Sequence, residues 1–198
     1  MRIILASSSV YRRDMLARLG LPFTCQSPDI DETPQPGEHP ADLSLRLARE
    51  KAARISSLNP GAIVIGSDQV ATQGADAIGK PGDHAGALRQ LRSLSGRSVD
   101  FHSALCVTDG HEFLCSDIIT NCRFRTLTDA EIEHYLAVEQ PYDTAGSAKA
   151  ESLGIALMQS MRSDDPTAII GLPLIELCSM LRHFGLNPLQ PGLLTNPD

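Results

Sequence analysis

The chain opens Arg2-Ile3-Ile4-Leu5-Ala6-Ser7-Ser8-Ser9-Val10-Tyr11-Arg12-Arg13-Asp14-Met15-Leu16. Its first part is an apolar, partly β-branched run and reads as a short buried strand over 2–6. Ser7, Ser8 and Ser9 supply turn and N-cap candidates. From residue 10 the apolar positions recur at helical spacing. Met15, Leu16 and Leu19 share one face, and Gly20 stops the helix at about residue 19.

Outward from this strand–turn–helix unit the alternation continues. Phe23–Ser27 reads as a second short strand. Residues 28–40 hold four Pro and four acidic residues and read as a surface loop. A helix follows over 41–57, where Leu43, Leu47 and Ala48 recur and Glu50 can pair with Arg46. Ala62–Gly66 reads as a strand ending at Ser67-Asp68-Gln69. Thr72–Gly79 reads as a hairpin turning at Gly74, and 83–94 as a helix with Gly96 just past its end. Strands over 99–107 and 112–124 flank the turn signal Asp109-Gly110. Thr128 and Glu131 have capping-box spacing for a helix over 128–138. Gly171-Leu172-Pro173 precedes a last helix over about 174–184. The expected fold is α/β with a long mixed central sheet flanked by helices. No composition break marks a linker. Residues 1–187 therefore read as one catalytic domain whose two lobes share a sheet around a cleft, with 188–198 a flexible tail.

Composition narrows the function. The chain has 198 residues, a formal net charge of −7 and 42% hydrophobic residues. A packed core is possible, and with aromatics at only 4% it must be mostly aliphatic. The acidic balance argues against nucleic acid or an anionic membrane surface as partner. No apolar run reaches the roughly 18 residues of a membrane span, and no secretory signal is visible. A cytoplasmic location is expected. The five Cys have no C-x-x-C spacing, so they read as small buried thiols in a reducing compartment rather than a zinc site or disulfide framework. His102, His111, His134 and His183 read as structural or exposed.

Four segments could carry chemistry. Ser7, Ser9, Arg12 and Arg13 sit where a strand passes into a helix. That arrangement suits an oxyanion, because N–H groups at a helix N-terminus are unpaired and its dipole is positive. The same residues equally describe an ordinary Ser cap followed by two exposed Arg. Asp68 falls at a strand's carboxyl end, after a Gly that allows close approach. There it could bind a metal, take a proton from water, or simply end a strand in a turn. Lys51 and Lys80 are compact cations suited to phosphate. Ala145–Glu151 is a small-residue loop holding Lys149 and Glu151, and Asp31-Glu32 stays a candidate on its loop. Together these residues fit a phosphate ester, a divalent cation and a carboxylate base.

In their order along the chain these segments resemble the Maf-like nucleoside triphosphate pyrophosphatases. The resemblance rests on Leu5-Ala6-Ser7 with Ser9 and Arg12-Arg13, then Asp31-Glu32, Arg46–Ala52 and Gly66-Ser67-Asp68-Gln69. It continues through Gly79-Lys80-Pro81, Leu94-Ser95-Gly96, Ala145-Gly146-Ser147 and Gly171-Leu172-Pro173-Leu174. It implies a Maf-like, ITPase-like fold, often dimeric, that cleaves nucleoside triphosphates between the α- and β-phosphates with Mg²⁺ or Mn²⁺. Asp68 matches the general base, and Glu32 an acidic residue that helps hold the metal. Ser7, Ser9, Arg12, Arg13, Lys51 and Lys80 match the phosphate-binding set, and Lys149 falls in a further active-site segment.

Gly66-Ser67-Asp68-Gln69 looks like the branch acting on 7-methyl-GTP rather than the sister branch acting on dTTP and UTP. Tyr11, Gln69 and Glu151 are then the expected base-selecting residues. A cationic 7-methylguanine favours an aromatic face, and its N1–H and N2 amine favour a carboxylate. The chain departs from the family at Val10, where Pro is usual, and from the branch at Tyr11, where Trp is expected. Ala148 stands for an aromatic residue and Ser152 for a Gly. The competing expectations are the dTTP/UTP activity and a non-catalytic nucleotide-binding regulator of cell division.

Overall fold

The computed structural model describes residues 1–190. Twelve regular elements follow in order: β1 (Ile3–Ala6), α1 (Val10–Ala17), β2 (Thr24–Cys25), α2 (Pro40–Leu58), β3 (Ile63–Gln73), β4 (Asp76–Ile78), α3 (His84–Leu94), β5 (Ser98–Thr108), β6 (Phe113–Phe124), α4 (Asp129–Glu139), β7 (Met158–Arg162) and α5 (Leu174–His183). Short 3₁₀ turns lie at Ala145–Ser147, Leu153–Leu157 and Ala168–Ile170. The strands form one mixed sheet in the order β2-β1-β3-β5-β6-β7, with β4 also on β3. Among the described residues no helix is long and apolar enough to cross a membrane.

The period-two pattern of the strands decides which helix packs where. Ile3 and Leu5 of β1, with Ile63 and Ile65 of β3, face α1 and α5 and bury against Met15, Leu16, Leu177 and Leu181. Ile4, Ala6 and Val64 face the other way, onto Ala48, Ala52 and Ile55 of α2. Each large aliphatic side chain so buried contributes about 1.5–3 kcal/mol. At the far end, α3 and α4 close over Phe101, Cys122 and Phe124. Alpha-helix α2 approaches β3 closely because Gly66 has no side chain. A Cβ there would lie 2.1 Å from the Ala48 carbonyl oxygen and 2.8 Å from the Ala52 nitrogen.

Helix ends follow the capping signals. Ser9 caps α1, and Gly20 takes φ +67 just beyond it. Thr128 and Glu131 form the full capping box of α4. Two expectations change. Asp68 does not end a strand, because β3 runs unbroken for 11 residues with Asp68 opposite Ala104 of β5. The thiols are not uniformly buried either: Cys106 and Cys122 are, but Cys25 and Cys115 are exposed. The expected tail from Pro188 lies, past Gln190, outside the described residues.

Candidate active site

The functional position of Asp68 comes from its neighbours along the sheet edge. Strand β1 pairs with β3 only as far as Ala6 opposite Gly66. Strand β4 begins to pair at Ala71 opposite Ile78. Between these two neighbours, residues 67–70 have a strand on the β5 side only. The open edge faces a cavity of about 810 Å³. Side chains alternate across it. Asp68 turns to the α2 face, while Ser67 and Gln69 turn to the face covered by the turn at 168–171.

On the α2 face a single lysine organises the charge. Lys51 lies on the helix stripe Ser44, Leu47, Ala48, Ala52, Ile55, which is otherwise the core-facing side of α2. Its side chain is 7% exposed, and its Nζ lies 2.7 Å from Asp68 Oδ1 and 2.7 Å from Glu32 Oε1. An ammonium this withdrawn from water requires such partners. Glu32 is delivered from the loop before α2, and Arg46 fastens that loop. The Arg46 guanidinium bonds both carboxylate oxygens of Glu38, at 2.6 and 2.8 Å, and the Thr33 carbonyl at 3.1 Å. These bonds hold the Glu38 carboxyl at a pKa of about 2. Asp31 turns away from the cavity and folds onto the Thr33 N–H and hydroxyl.

Across the cavity stands the N-terminus of α1. Ser7 Oγ accepts from Ser9 N–H, and Ser9 Oγ accepts from Arg12 N–H. Ser9 is therefore the helix cap and Ser7 closes the turn before it, and both line the cavity. Among the described residues, no acceptor meets the N–H groups of Ser8, Val10 and Tyr11. These free donors and the helix dipole suit a phosphate oxygen. Arg12 turns inward and donates from Nε to the Gly171 carbonyl at 3.0 Å. Burial lowers its pKa, and the charges of Asp68 and Glu32 oppose that shift. Arg13 instead faces solvent and pairs with Asp14.

The other wall is a turn pinned by hydrogen bonds. Gln69 Nε2 meets Ser103 Oγ at 2.9 Å and the carbonyls of Ala168 and Ile169 at 3.1 and 3.2 Å. Ser67 Oγ donates to the Gly171 carbonyl, and Ser103 Oγ to that of Ala168. Asp165, 2% exposed, fixes the turn from behind. It accepts from the N–H groups of Thr167 and, at the start of α5, Ile175 and Glu176.

Tyr11, Gln69, Lys80 and Glu151 all line the cavity, as does Ala148. Lys149 does not. Its Nζ donates to the Glu139 carbonyl at the end of α4, 2.9 Å away. Val10 occupies the first turn of α1, where proline is favoured. Ser152 has φ −138, outside the left-handed region that favours glycine. Sequence reasoning missed strand β7 and the roles of Asp165 and Ser103. Asp165 had a readable signal, an acidic residue shortly before a predicted helix that lacks a capping side chain at Pro173.

The donors that converge near Asp68 are hard oxygens, with no thiol or imidazole among the cavity-lining residues. Among the described residues no group of three or more His, Cys, Asp and Glu could by itself hold a metal. Two carboxylates across the cavity from the free N–H groups of α1 fit Mg²⁺ or Mn²⁺, which take one or two carboxylates and complete their shell with water and phosphate oxygens.

A family model described as Maf-like protein matches residues 2–184. The chain is 68% identical over 188 residues to the 7-methyl-GTP pyrophosphatase of Bordetella parapertussis, spanning 95% of this chain and 94% of the relative. It is 58% identical over 185 residues to that of Cupriavidus metallidurans, spanning 92% and 93%. A HAM1 protein from Coxiella burnetii superimposes with a TM-score of 0.53 at 17% identity, over 92% of this chain and 99% of that one. At that identity the likeness speaks for the fold alone.

Proposed function

Because the chain belongs to the Maf-like protein family, we propose that it hydrolyses 7-methyl-GTP to 7-methyl-GMP and pyrophosphate. The observation that carries this reading is the lysine-centred pair of carboxylates, with Lys51 Nζ 2.7 Å from both Asp68 and Glu32 and the open N-terminus of α1 across the cavity. The names of the relatives support the substrate.

The triphosphate lies between α1 and α2. Free N–H groups at the start of α1, with Ser7, Ser9, Arg12 and Lys80, take its oxygens. Arg13 and Lys149 stay with the partners they have, Asp14 and the Glu139 carbonyl. Glu32 and Asp68 would hold a divalent cation, which when bound offsets phosphate charge. Asp68 takes the proton of the attacking water. Lys51 keeps Asp68 correctly turned, and with Arg12 stabilises the charge that develops on phosphate. The 7-methylguanine stacks on Tyr11 and offers its N1–H and N2 amine to Glu151. Gln69 shapes the base wall by holding the turn at 168–171.

The test is pyrophosphate release from 7-methyl-GTP, GTP, dTTP and UTP with Mg²⁺. Preference for 7-methyl-GTP supports the reading. Preference for dTTP or UTP overturns the base-selecting roles, and nucleotide binding without release overturns the enzyme assignment.

A further inference from the structure

Strands β5 and β6 place two cysteines directly opposite each other, and the proposed reaction uses neither. Cys106 pairs with Cys115 in the antiparallel ladder, and their sulfurs lie 2.7 Å apart. Residues facing each other across a ladder point to the same side of the sheet, so the two thiols aim together. Cys106 is wholly buried against Ala48 and Ala52 of α2, while Cys115 is exposed. The guanidinium of Arg49 sits nearby, stacked on Phe113 4.9 Å from the ring centroid.

We propose that Cys115 and Cys106 form a peroxide-reactive dithiol that closes reversibly into a cross-strand disulfide. Cys115 is the attacking sulfur and Cys106 the resolving one. The Cys115 thiolate attacks one peroxide oxygen, forming an S–O bond as the O–O bond breaks and hydroxide leaves. The proton lost from Cys115 converts that hydroxide to water. Cys106 sulfur then attacks the Cys115 sulfenic acid. The S–S bond forms, the S–O bond breaks, and the departing hydroxide takes the Cys106 proton as a second water. Two thiols lose two electrons, and one hydrogen peroxide becomes two waters.

Three further observations agree. An exposed thiol beside a resolving partner is the arrangement that oxidises reversibly. The hydrogen bond between the two thiols, aided by Arg49, pulls the first proton of the pair below the ordinary thiol value. Cys25, the other exposed cysteine, has its thiol pushed upward by partial burial and serves as an internal comparison.

The full chain is treated with hydrogen peroxide, alkylated, and digested with a protease that cuts after acidic residues, which separates the two cysteines. The expected result is a Cys106–Cys115 linked peptide and loss of two of the five alkylatable thiols, both reversed by dithiothreitol. Cys106→Ser removes the resolving partner, so Cys115 proceeds to sulfinic acid. Cys115→Ser, at an exposed position, gives no linked peptide. Retention of all five thiols, or oxidation of Cys25 while Cys106 and Cys115 still alkylate, overturns the proposal.

Discussion

Lys51 and Asp68 meet across the gap between helix α2 and strand β3, Nζ to Oδ1 at 2.7 Å, with both side chains largely withdrawn from water. The contact joins the core-facing stripe of a helix to the one stretch of β3 whose outer edge lacks a strand. The packing of α2 on the sheet thus sets where the carboxylate points, and Glu32, on the same ammonium, makes the arrangement a triad.

Lys51→Met therefore removes the group that orients two carboxylates. Turnover of 7-methyl-GTP is expected to fall about 10²–10³-fold, the scale of losing one preorganised electrostatic contact. Asp68, largely buried and left without its partner, costs roughly 1–3 kcal/mol of stability, whereas the exposed Glu32 turns to water. Lys51→Arg keeps the charge and restores part of the loss. Steady-state kinetics and urea unfolding on both variants check this.

Gly66→Ala tests the helix–sheet contact that the triad relies on. A methyl 2.1 Å from the Ala48 carbonyl cannot be accommodated without moving α2. Stability is expected to drop by about 3 kcal/mol, the upper part of the overpacking range. Urea unfolding should show a lower midpoint at unchanged slope.

Much of this was legible in advance. The serine turn, the capping box at Thr128 and the order of helices and strands are written in local residue chemistry. Lys51 was legible as a cation suited to phosphate, but its place among the buried positions of α2 comes from the structure. The continuation of β3 through Asp68 was not legible. Ser-Asp-Gln has poor strand propensity, and only pairing with β5 overrides it. Arg13 and Lys149 show the same limit. Their types suit phosphate, but the direction each side chain takes is set by Asp14 and by the end of α4. Strand β7 escaped notice because it is five residues long, sits at the sheet edge and buries little.

Gln69 acts on the base through the wall it holds. Gln69→Ala removes the contacts to Ser103, Ala168 and Ile169. KM is expected to rise by a similar factor for 7-methyl-GTP and GTP, with a stability loss of about 1–3 kcal/mol. Tyr11→Ala should instead lower the preference for 7-methyl-GTP over GTP by about 2- to 30-fold, the worth of a cation–π contact. Comparing kcat/KM for the two nucleotides separates these effects.

Acid should loosen the loop that carries Glu32. The Glu38 carboxyl, ordinarily near 4.5, titrates at about 2 in the fold because Arg46 binds it. A depressed carboxyl pKa contributes stability above the unfolded value, and that contribution is lost as pH falls from about 4.5 toward 2. Glu131, also held at about 2, acts in the same window, so the difference between wild type and Glu38→Gln isolates this pair. Thermal unfolding across that range should fall more steeply for wild type, with the two proteins converging at the acid end.

The most direct test is pyrophosphate release from 7-methyl-GTP with Mg²⁺ by wild type and Asp68→Asn, alongside circular dichroism to show that both fold. The account predicts turnover by wild type and a loss of about 10²–10⁴-fold in the variant, the range for removing a general base. Full turnover by a folded Asp68→Asn protein would contradict it.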